Sequence, residues 1–425
     1  MKKSLLALAV LGAFAGAAQA QSSVTIYGIV DTGVTYTSKA QTPAGGTNTG
    51  SKFAMNSGNI QGSRIGFKGV EDLGGGLSAV FNLETGFTND NGGLQGSDSV
   101  TGSNLFRRKS VVGLAGGFGS VLVGRQTDFA DTISAYTGVA DFGGVIQNSG
   151  SALNRLQGTR TNNSVSYTTN NLAGFTANAM YGFGETAGKT TAGQSFGFGV
   201  KYDNGPLGLG ANYYQSKAGT TASDTSLIQG VAPAGSATPS ALAVYSNQAG
   251  IYSNNAGSTA AKVFNLVASY QFGPARVYGN WSRVKQDLNN AANVAALRAT
   301  ATVAGGVTTV TANPLTAANR AANATLGFSN KADMWELGTA YSLTPSLKLL
   351  AAVEYTTASF DGLNGKGKLT QYNIGTDYWL SKRTDLYAFV SNLRAKDMKN
   401  PGAYGDTTGS DSSQTAVTVG IRHKF

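Results

Sequence analysis

The sequence predicts an all-β fold, a closed sixteen-stranded antiparallel transmembrane β-barrel with its third long loop folded into the interior. Three observations support this prediction. Short runs that alternate between apolar and polar residues recur along the 425-residue chain. The connections between them alternate between short and long, and the last run ends at Phe425. An even number of strands lets the first and last strands pair antiparallel, so that no sheet edge faces lipid.

The first twenty residues predict a secretory signal peptide. Lys2 and Lys3 precede an apolar run from Leu5 to Ala18, and Ala18-Gln19-Ala20 fits a small-residue cleavage site. No later apolar run approaches the ~18 residues that a spanning helix needs. We therefore expect residues 1–20 to be removed and residues 21–425 to form one barrel domain.

The composition narrows the classes of function. Charged residues make up 13% of the chain, against roughly 25% in an average soluble domain. Removing Lys2 and Lys3 leaves 30 basic residues against 22 acidic ones, a net charge of +8. The absence of cysteine argues against a thiol nucleophile and a zinc site, and the single histidine, His423, argues against a histidine-rich metal site. We also expect no cofactor. Because the basic residues are scattered, we expect no nucleic-acid partner.

The alternation resembles the lipid-facing band of a membrane barrel. In the run Phe264–Phe272 one face carries aromatic and aliphatic residues and the other carries polar ones, and the runs Phe175–Phe183, Leu347–Tyr355 and Leu369–Leu380 repeat the pattern. Phe264 and Phe272 lie roughly 20 Å apart along the barrel axis, close to the ~25 Å apolar band with aromatic girdles of outer-membrane barrels. The strands of a soluble β-sandwich would show the same alternation of apolar and polar residues, so this pattern alone does not decide between the two folds.

The connections favour the barrel over the sandwich. Short turns fall at Glu71–Gly76, Ala115–Gly119, Asn170–Gly174, Asp203–Pro206, Phe272–Pro274, Leu343–Ser346 and Leu380–Arg383. Long loops fall at Ser38–Gly58, Asn89–Asn104, Asp128–Gly158, Gly184–Gln194, Lys217–Ala261, Gln286–Lys331, Ser359–Lys368 and Ala395–Ser412. We expect the short turns at the periplasmic rim and the long loops outside. The loops Lys217–Ala261 and Gln286–Lys331 are of low complexity and have little to bury.

Several motifs together resemble the general porins of Gram-negative bacteria, of the beta-proteobacterial type. They include Ser63-Arg64-Ile65-Gly66-Phe67-Lys68-Gly69-Val70-Glu71-Asp72-Leu73-Gly74, Gly124-Arg125-Gln126, Asn163-Ser164-Val165-Ser166-Tyr167 and Gly420-Ile421-Arg422-His423-Lys424-Phe425. The resemblance implies an outer-membrane homotrimer of sixteen-stranded barrels, each with a pore through which small hydrophilic solutes diffuse passively. It also implies contact with outer-membrane lipid, and recognition of Phe425 by the β-barrel assembly machinery.

The loop Asp128–Gly158 is the expected pore constriction. A sixteen-stranded barrel is roughly 30 Å across, and a loop of this length can cross it and return. The segment Ala140-Asp141-Phe142-Gly143-Gly144 resembles the inward-folded third loop of porins. The family usually has Pro-Glu before Phe-Gly-Gly, where this chain has Ala140-Asp141, so the charge is kept on a shorter side chain.

Three arginines form the predicted basic wall. The spacing of Arg64, Arg108 and Arg160 from later glycine and tyrosine residues matches the constriction arginines of the family. If Arg108 faces the lumen, alternation sends Arg107 and Lys109 outward, where charge is costly. Whether Arg107 or Arg108 faces inward therefore stays open.

Acidic residues are expected opposite this wall. Asp141 is the leading candidate, with Asp128 and Asp131 near the start of the loop, and with Glu84 and Asp31 pointing inward from strands. A basic wall facing an acidic loop produces a transverse field that filters solutes by size and dipole. Together with the net charge, the three arginines predict a modest preference for anions.

Three alternatives remain at this point. A substrate-specific channel for a small anionic or sugar solute would show saturable current block. A barrel enzyme is disfavoured because His423 is the only histidine. A secreted β-rich adhesin would be found in the soluble fraction.

Overall fold

The computed structural model describes most of the chain after residue 22. The described ranges are 23–43, 48–95, 105–146, 156, 158, 160–185, 187–188, 190–191, 193–217, 260–286, 299–304, 307–312, 331–359, 366–398, 400–403 and 411–425. The predicted signal peptide and the centres of several predicted outer loops lie outside these residues.

Antiparallel strands close into one barrel, which confirms the predicted fold class. In chain order they are β1 (Ser23–Gln41), β2 (Thr49–Ser57), β3 (Arg64–Gly74), β4 (Leu77–Gly86), β5 (Lys109–Gly116), β6 (Gly119–Thr127), β7 (Arg160–Thr168), β8 (Phe175–Gly182), β9 (Ser195–Asn204), β10 (Leu207–Lys217), β11 (Ala260–Phe272), β12 (Ala275–Gln286), β15 (Lys331–Thr344), β16 (Leu347–Ser359), β17 (Lys366–Trp379), β18 (Thr384–Lys396) and β19 (Ser413–Lys424). The first and last strands pair from Ile29 with Lys424 to Thr37 with Ala416.

Two of these strands occupy a single position in the wall, so the barrel has sixteen strand positions. β2 pairs with the outer half of β1, and β3 pairs with its inner half. The predicted long loop Ser38–Gly58 is therefore wrong. The apolar alternation of Phe53 and Met55 continues the lipid-facing surface, so the chain gains ladder hydrogen bonds by pairing there.

A small hairpin lies within the predicted low-complexity loop Gln286–Lys331. β13 (Ala299–Ala304) pairs with β14 (Val307–Ala312) over six residues. The sequence analysis did not identify this hairpin, although a run rich in valine and threonine has a high strand propensity. The seven short turns are found between the expected strands.

Inward and outward residues alternate as the membrane requires. Leu337 and Ile374 are about 60% exposed on the outer surface, where lipid would cover them. Asn265, Ser282 and Gln371 are buried on the inner surface. The lumen is thus lined by polar side chains, as in a water-filled barrel.

Short helical segments occupy the predicted third loop. They are α1 (Ala130–Ile133), a 3-10 turn (Ser134–Tyr136), α2 (Val139–Phe142) and a second 3-10 turn (Gly143–Val145). Among the described helices, none is long and apolar enough to cross a membrane.

Candidate pore constriction

The third loop lies inside the barrel, as the sequence predicted. Hydrogen bonds join its backbone to the inner wall. The Gly138 amide donates to Glu336 Oε1 (2.6 Å), the Gly144 amide donates to the Ile60 carbonyl (3.3 Å), and the Val145 carbonyl accepts from Gln371 Nε2 (3.1 Å). These contacts with β15, β17 and the segment before β3 hold the loop across the lumen.

Apolar packing adds to this attachment. Phe142, Val145 and Ile146 are fully buried in a cluster that includes Leu350 and Phe389 of the wall. The rings of Phe142 and Phe389 are 5.4 Å apart. Burial of each such side chain contributes roughly 1.5–3 kcal/mol, so the tip of the loop has a strong preference for the wall over the open pore.

Glycine is required at the turn after α2. Gly143 has φ of 58°, and a Cβ added there would lie 1.8 Å from the Ile60 carbonyl oxygen. The left-handed backbone and this close approach together exclude a side chain. The Phe-Gly-Gly motif therefore allows the loop backbone to contact the wall directly.

Asp141 pairs with an arginine that the sequence analysis did not single out. Arg276 of β12 is bonded to Asp141 and also donates to the carbonyls of Ala135 (2.9 Å) and Thr137 (3.2 Å). The guanidinium lies 4.8 Å from the centre of the Tyr278 ring. Asp141 is therefore placed against Arg276 and not against the three predicted arginines. Alternation on β12 could have identified Arg276, since it shares a face with Tyr278.

Two of the predicted arginines meet at one carboxylate. Arg108 Nε lies 2.6 Å from Glu84 Oε1, and Arg64 Nη1 lies 3.9 Å from the same oxygen. Tyr27 donates its hydroxyl to Glu84 Oε2 (3.0 Å). Glu84 thus holds the two guanidiniums on the lumen side of β3 and β4.

Arg160 completes this basic group. It is the first residue of β7 and lies within electrostatic range of Arg108. The Nε atom of Arg160 is buried and has no hydrogen-bond partner among the described residues. Asp131 of α1 is exposed and interacts electrostatically with both Arg64 and Arg160. Asp131 is therefore the loop acid that faces the basic group.

Asp31 and Asp128 serve in hydrogen bonding within the structure. Asp31 is fully buried and accepts from the amides of Ile60 (2.8 Å) and Gln61 (2.7 Å) and from the Tyr387 hydroxyl (2.7 Å). Asp128 is buried and accepts from the Ala130 amide (3.2 Å) at the start of α1. Both carboxylates fix the backbone around the constriction.

Lys109 does not take the outward direction that strand alternation would give it if Arg108 faced the lumen. Lys109 is directly opposite Glu84 in the ladder between β4 and β5, and directly opposed residues face the same side of a sheet. Arg108 also reaches Glu84, because β5 begins only at Lys109 and the residue before it is free of the strand alternation. Arg107 donates to the Gln95 carbonyl (3.2 Å).

Two further groups stabilise the region. Burial raises the pKa of Tyr136 in the loop, and the hydrogen bond that its hydroxyl donates to Asp203 raises the pKa further. The hydroxyl consequently stays protonated and keeps this bond at physiological pH.

At the barrel seam, where the first and last strands meet, the Phe425 amide donates to the Gly28 carbonyl (3.0 Å) and the Gly28 amide donates to the Phe425 carbonyl (2.9 Å). No metal-binding cluster of three or more acidic or histidine residues is found among the described residues.

Comparison with known proteins agrees with this architecture. Residues 7–398 match the family model described as Gram-negative porin. Over the full length of both chains, the sequence is 32% identical to outer membrane porin protein 32 of Delftia acidovorans and 31% identical to an outer membrane porin protein of Bordetella pertussis. The solved anion-selective porin from Comamonas acidovorans is 26% identical, with a TM-score of 0.64, over 95% of this chain and all of that one. The chain therefore belongs to the Gram-negative porin family and forms a diffusion channel in the outer membrane.

Proposed function

We propose that the barrel conducts ions and small hydrophilic solutes passively through a constriction with a weak preference for anions. In this proposal Arg64, Arg108 and Arg160 form the basic side of the opening, and Asp131 faces them from the loop. Solutes move down their own concentration gradients, so conduction requires no catalytic turnover and no cofactor.

The distribution of charge is the observation that supports the anion preference. The three guanidiniums of the basic side share one nearby wall carboxylate, Glu84. Asp141 forms an ion pair with Arg276, and the buried Asp31 carboxylate accepts hydrogen bonds from the Ile60 amide and the Tyr387 hydroxyl. Glu84 and Asp131 thus supply two negative charges against the three guanidiniums, so positive charge is in excess beside the inward-folded loop.

A homotrimer fits the family. One solved relative, OmpT of Vibrio cholerae, is described as a trimer form, although at 15% identity this likeness concerns the fold alone. We also propose that residues 1–20 are removed on export and that Phe425 is recognised by the β-barrel assembly machinery, since it ends the strand that closes the barrel.

Reversal potentials in a salt gradient test the anion preference. A unit positive charge about 7 Å from a passing ion in water lowers the energy of an anion by about 0.6 kcal/mol and raises that of a cation by the same amount. Arg160→Gln should therefore lower the anion-to-cation permeability ratio about sevenfold. Arg383→Gln, in an exposed turn at the other end of the barrel, should leave the ratio unchanged. Clear cation selectivity of the unmodified protein would refute the proposal.

The same recordings distinguish a general pore from a substrate-specific channel. A general pore should show flux that falls with solute size and does not saturate. Saturable block of the current by one sugar or one organic anion would instead favour a discrete binding site in the lumen.

A further inference from the structure

Two glutamates face each other on the wall behind the third loop. Glu336 of β15 and Glu354 of β16 are directly opposite in the ladder between these strands, and they are only 4% and 3% exposed. Directly opposed side chains on one face of a sheet have Cβ atoms about 5 Å apart. Two carboxylates this close and this well buried repel each other unless a positive group lies between them.

The Glu354 carboxylate has no partner of opposite charge in the described part of the chain. Its Oε1 is buried and accepts no hydrogen bond from the described residues, and the charged group that acts on it there is Glu336. Glu336 itself accepts hydrogen bonds from the Gly138 amide of the loop (2.6 Å) and from Asn280 Nδ2. Donors therefore reach one carboxylate of the pair and leave the other unsatisfied.

Two amide side chains extend the same row across the wall. Asn280 of β12 is directly opposite Glu336, and Gln371 of β17 is directly opposite Glu354. The two amides are 8% and 2% exposed. Asn280 Oδ1 and Gln371 Oε1 accept no hydrogen bond from the described residues. Four neighbouring strands thus present a buried row in which oxygen atoms of Asn280, Glu354 and Gln371 all lack a donor.

The third loop covers this row. A Cβ atom added to Gly138 of the loop would lie 2.3 Å from Glu336 Oε1 and 3.1 Å from the Tyr278 hydroxyl oxygen. That hydroxyl is buried and also has no hydrogen-bond partner among the described residues. Tyr278 interacts electrostatically with both Glu336 and Glu354. The two carboxylates and the phenol therefore border one space between the loop and the wall.

The charges around this space do not balance. Arg276 and Asp141 both act on Glu336, and they pair with each other. Glu336, Glu354 and Asp141 carry three negative charges against the one positive charge of Arg276, so two negative charges are left over. Buried charges that remain uncompensated are strongly unfavourable, so the folded wall requires a positive partner at this place.

A divalent cation satisfies the arrangement better than a proton. A proton shared by the two glutamates would remove one negative charge and would donate to one oxygen, whereas three buried oxygens of the row lack a donor. A divalent cation neutralises both charges and coordinates several oxygens at once. Carboxylate and amide oxygens are ligands that hard cations prefer, and Ca²⁺ accepts irregular geometry more readily than Mg²⁺.

We propose that Glu336 and Glu354 bind a calcium ion between the third loop and the wall, with the amide oxygens of Asn280 and Gln371 as further ligands. The ion removes the repulsion between β15 and β16 and keeps Glu336 in place for its hydrogen bond with the Gly138 amide. Water from the lumen completes the coordination. The ion is thus a structural clamp behind the loop and takes no part in conduction.

Terbium luminescence of the protein, refolded in detergent without outer-membrane lipid, tests this proposal. Tb³⁺ replaces Ca²⁺ at oxygen sites, and an aromatic ring as close as Tyr278 transfers excitation energy to it. The unmodified protein should give a saturable signal that Ca²⁺ displaces. Loss of a residue that only supports a ligand already costs about 10- to 100-fold in metal affinity, so Glu354→Gln should bind Tb³⁺ at least about 10-fold more weakly. Glu71→Gln, at an exposed position near the end of β3, should bind like the unmodified protein.

The midpoint of unfolding in urea gives a second and independent measurement. A calcium chelator should lower the midpoint of the unmodified protein and of Glu71→Gln. It should leave the midpoint of Glu354→Gln unchanged, because this variant has no bound ion to lose. Heat-modifiable migration in electrophoresis establishes that each variant forms the barrel.

Three results would overturn the proposal. The first is the absence of a Tb³⁺ signal that Ca²⁺ displaces in the unmodified protein. The second is equal Tb³⁺ affinity in Glu354→Gln and the unmodified protein, which would place the ion elsewhere on the surface. The third is a midpoint of the unmodified protein that ignores the chelator but falls as the pH rises, which would show that a shared proton holds the two glutamates together.

Discussion

Arg276 of the wall contacts the third loop through three groups. It pairs with Asp141 and supplies donors to the carbonyls of Ala135 and Thr137. The variant Arg276→Gln leaves Asp141 without its cation and both carbonyls without their donor. Only 18% of the Arg276 side chain and 10% of the Asp141 side chain are exposed, so water compensates for little of this loss.

The expected magnitude follows from this burial. Breaking a buried pair by removing one partner costs about 3–5 kcal/mol. Since this pair borders a water-filled lumen, we expect about 2–3 kcal/mol. That corresponds to a decrease of roughly 30- to 150-fold in the ratio of attached to released loop. The loop then samples other positions, which should appear as greater open-channel noise and additional conductance levels in single-channel recordings.

A double-mutant cycle separates the pair from other effects of the substitution. Asp141→Asn, Arg276→Gln and the combined variant should give a coupling energy of about 2 kcal/mol in chemical unfolding from lipid bilayers. Arg276→Lys keeps the charge but loses the planar fork, so its effect should be intermediate. A coupling below about 0.5 kcal/mol, with noise and conductance unchanged in Arg276→Gln, would show that this contact does not hold the loop.

Three further variants, two substitutions and one deletion, probe the constriction and the seam. Gly143→Ala should lower the free energy of unfolding by at least about 1–3 kcal/mol and alter the conductance, because the new methyl group would lie 1.8 Å from the Ile60 carbonyl oxygen. The comparison is Gly144→Ala, because Gly144 does not have a positive φ. Equal unfolding midpoints for the two variants would contradict this account. Arg422→Gln should destabilise the barrel by about 3 kcal/mol, since the buried guanidinium lies 3.0 Å from Asp385 and 3.8 Å from Asp377; an unchanged midpoint in urea would rule this out. Deletion of Phe425 should slow folding into bilayers because it removes two hydrogen bonds to Gly28, whereas Phe425→Trp should fold at the normal rate.

The wall of the barrel was largely predictable from the sequence because strand alternation is local. Each predicted short turn connects the expected strands, and the outward stripe of Phe264, Leu266 and Ala268 faces lipid. The break between β2 and β3 was missed because it depends on Asp31, a distant residue that binds the amides of Ile60 and Gln61. Alternation alone carries no information about such a contact.

The partners of the loop were harder to predict than its position. The length of the loop and its Phe-Gly-Gly motif predict that it folds inward, but they do not determine where its tip meets the wall. Asp141 reaches Arg276 because Phe142 packs against Phe389 and Gly138 binds Glu336. These contacts join residues more than a hundred positions apart, so the pairing is a property of the packed barrel.

Strand alternation also allows the two faces of the wall to serve separate purposes. On β12, Arg276 and Tyr278 face the lumen and hold the loop, while Trp281 and Arg283 face the membrane. Because successive side chains point to opposite sides, a substitution on one face leaves the chemistry of the other intact. Variants of Arg276 should therefore change conduction without changing the lipid-facing surface. A lipid-face variant that altered open-channel noise would show that the wall transmits strain between its faces.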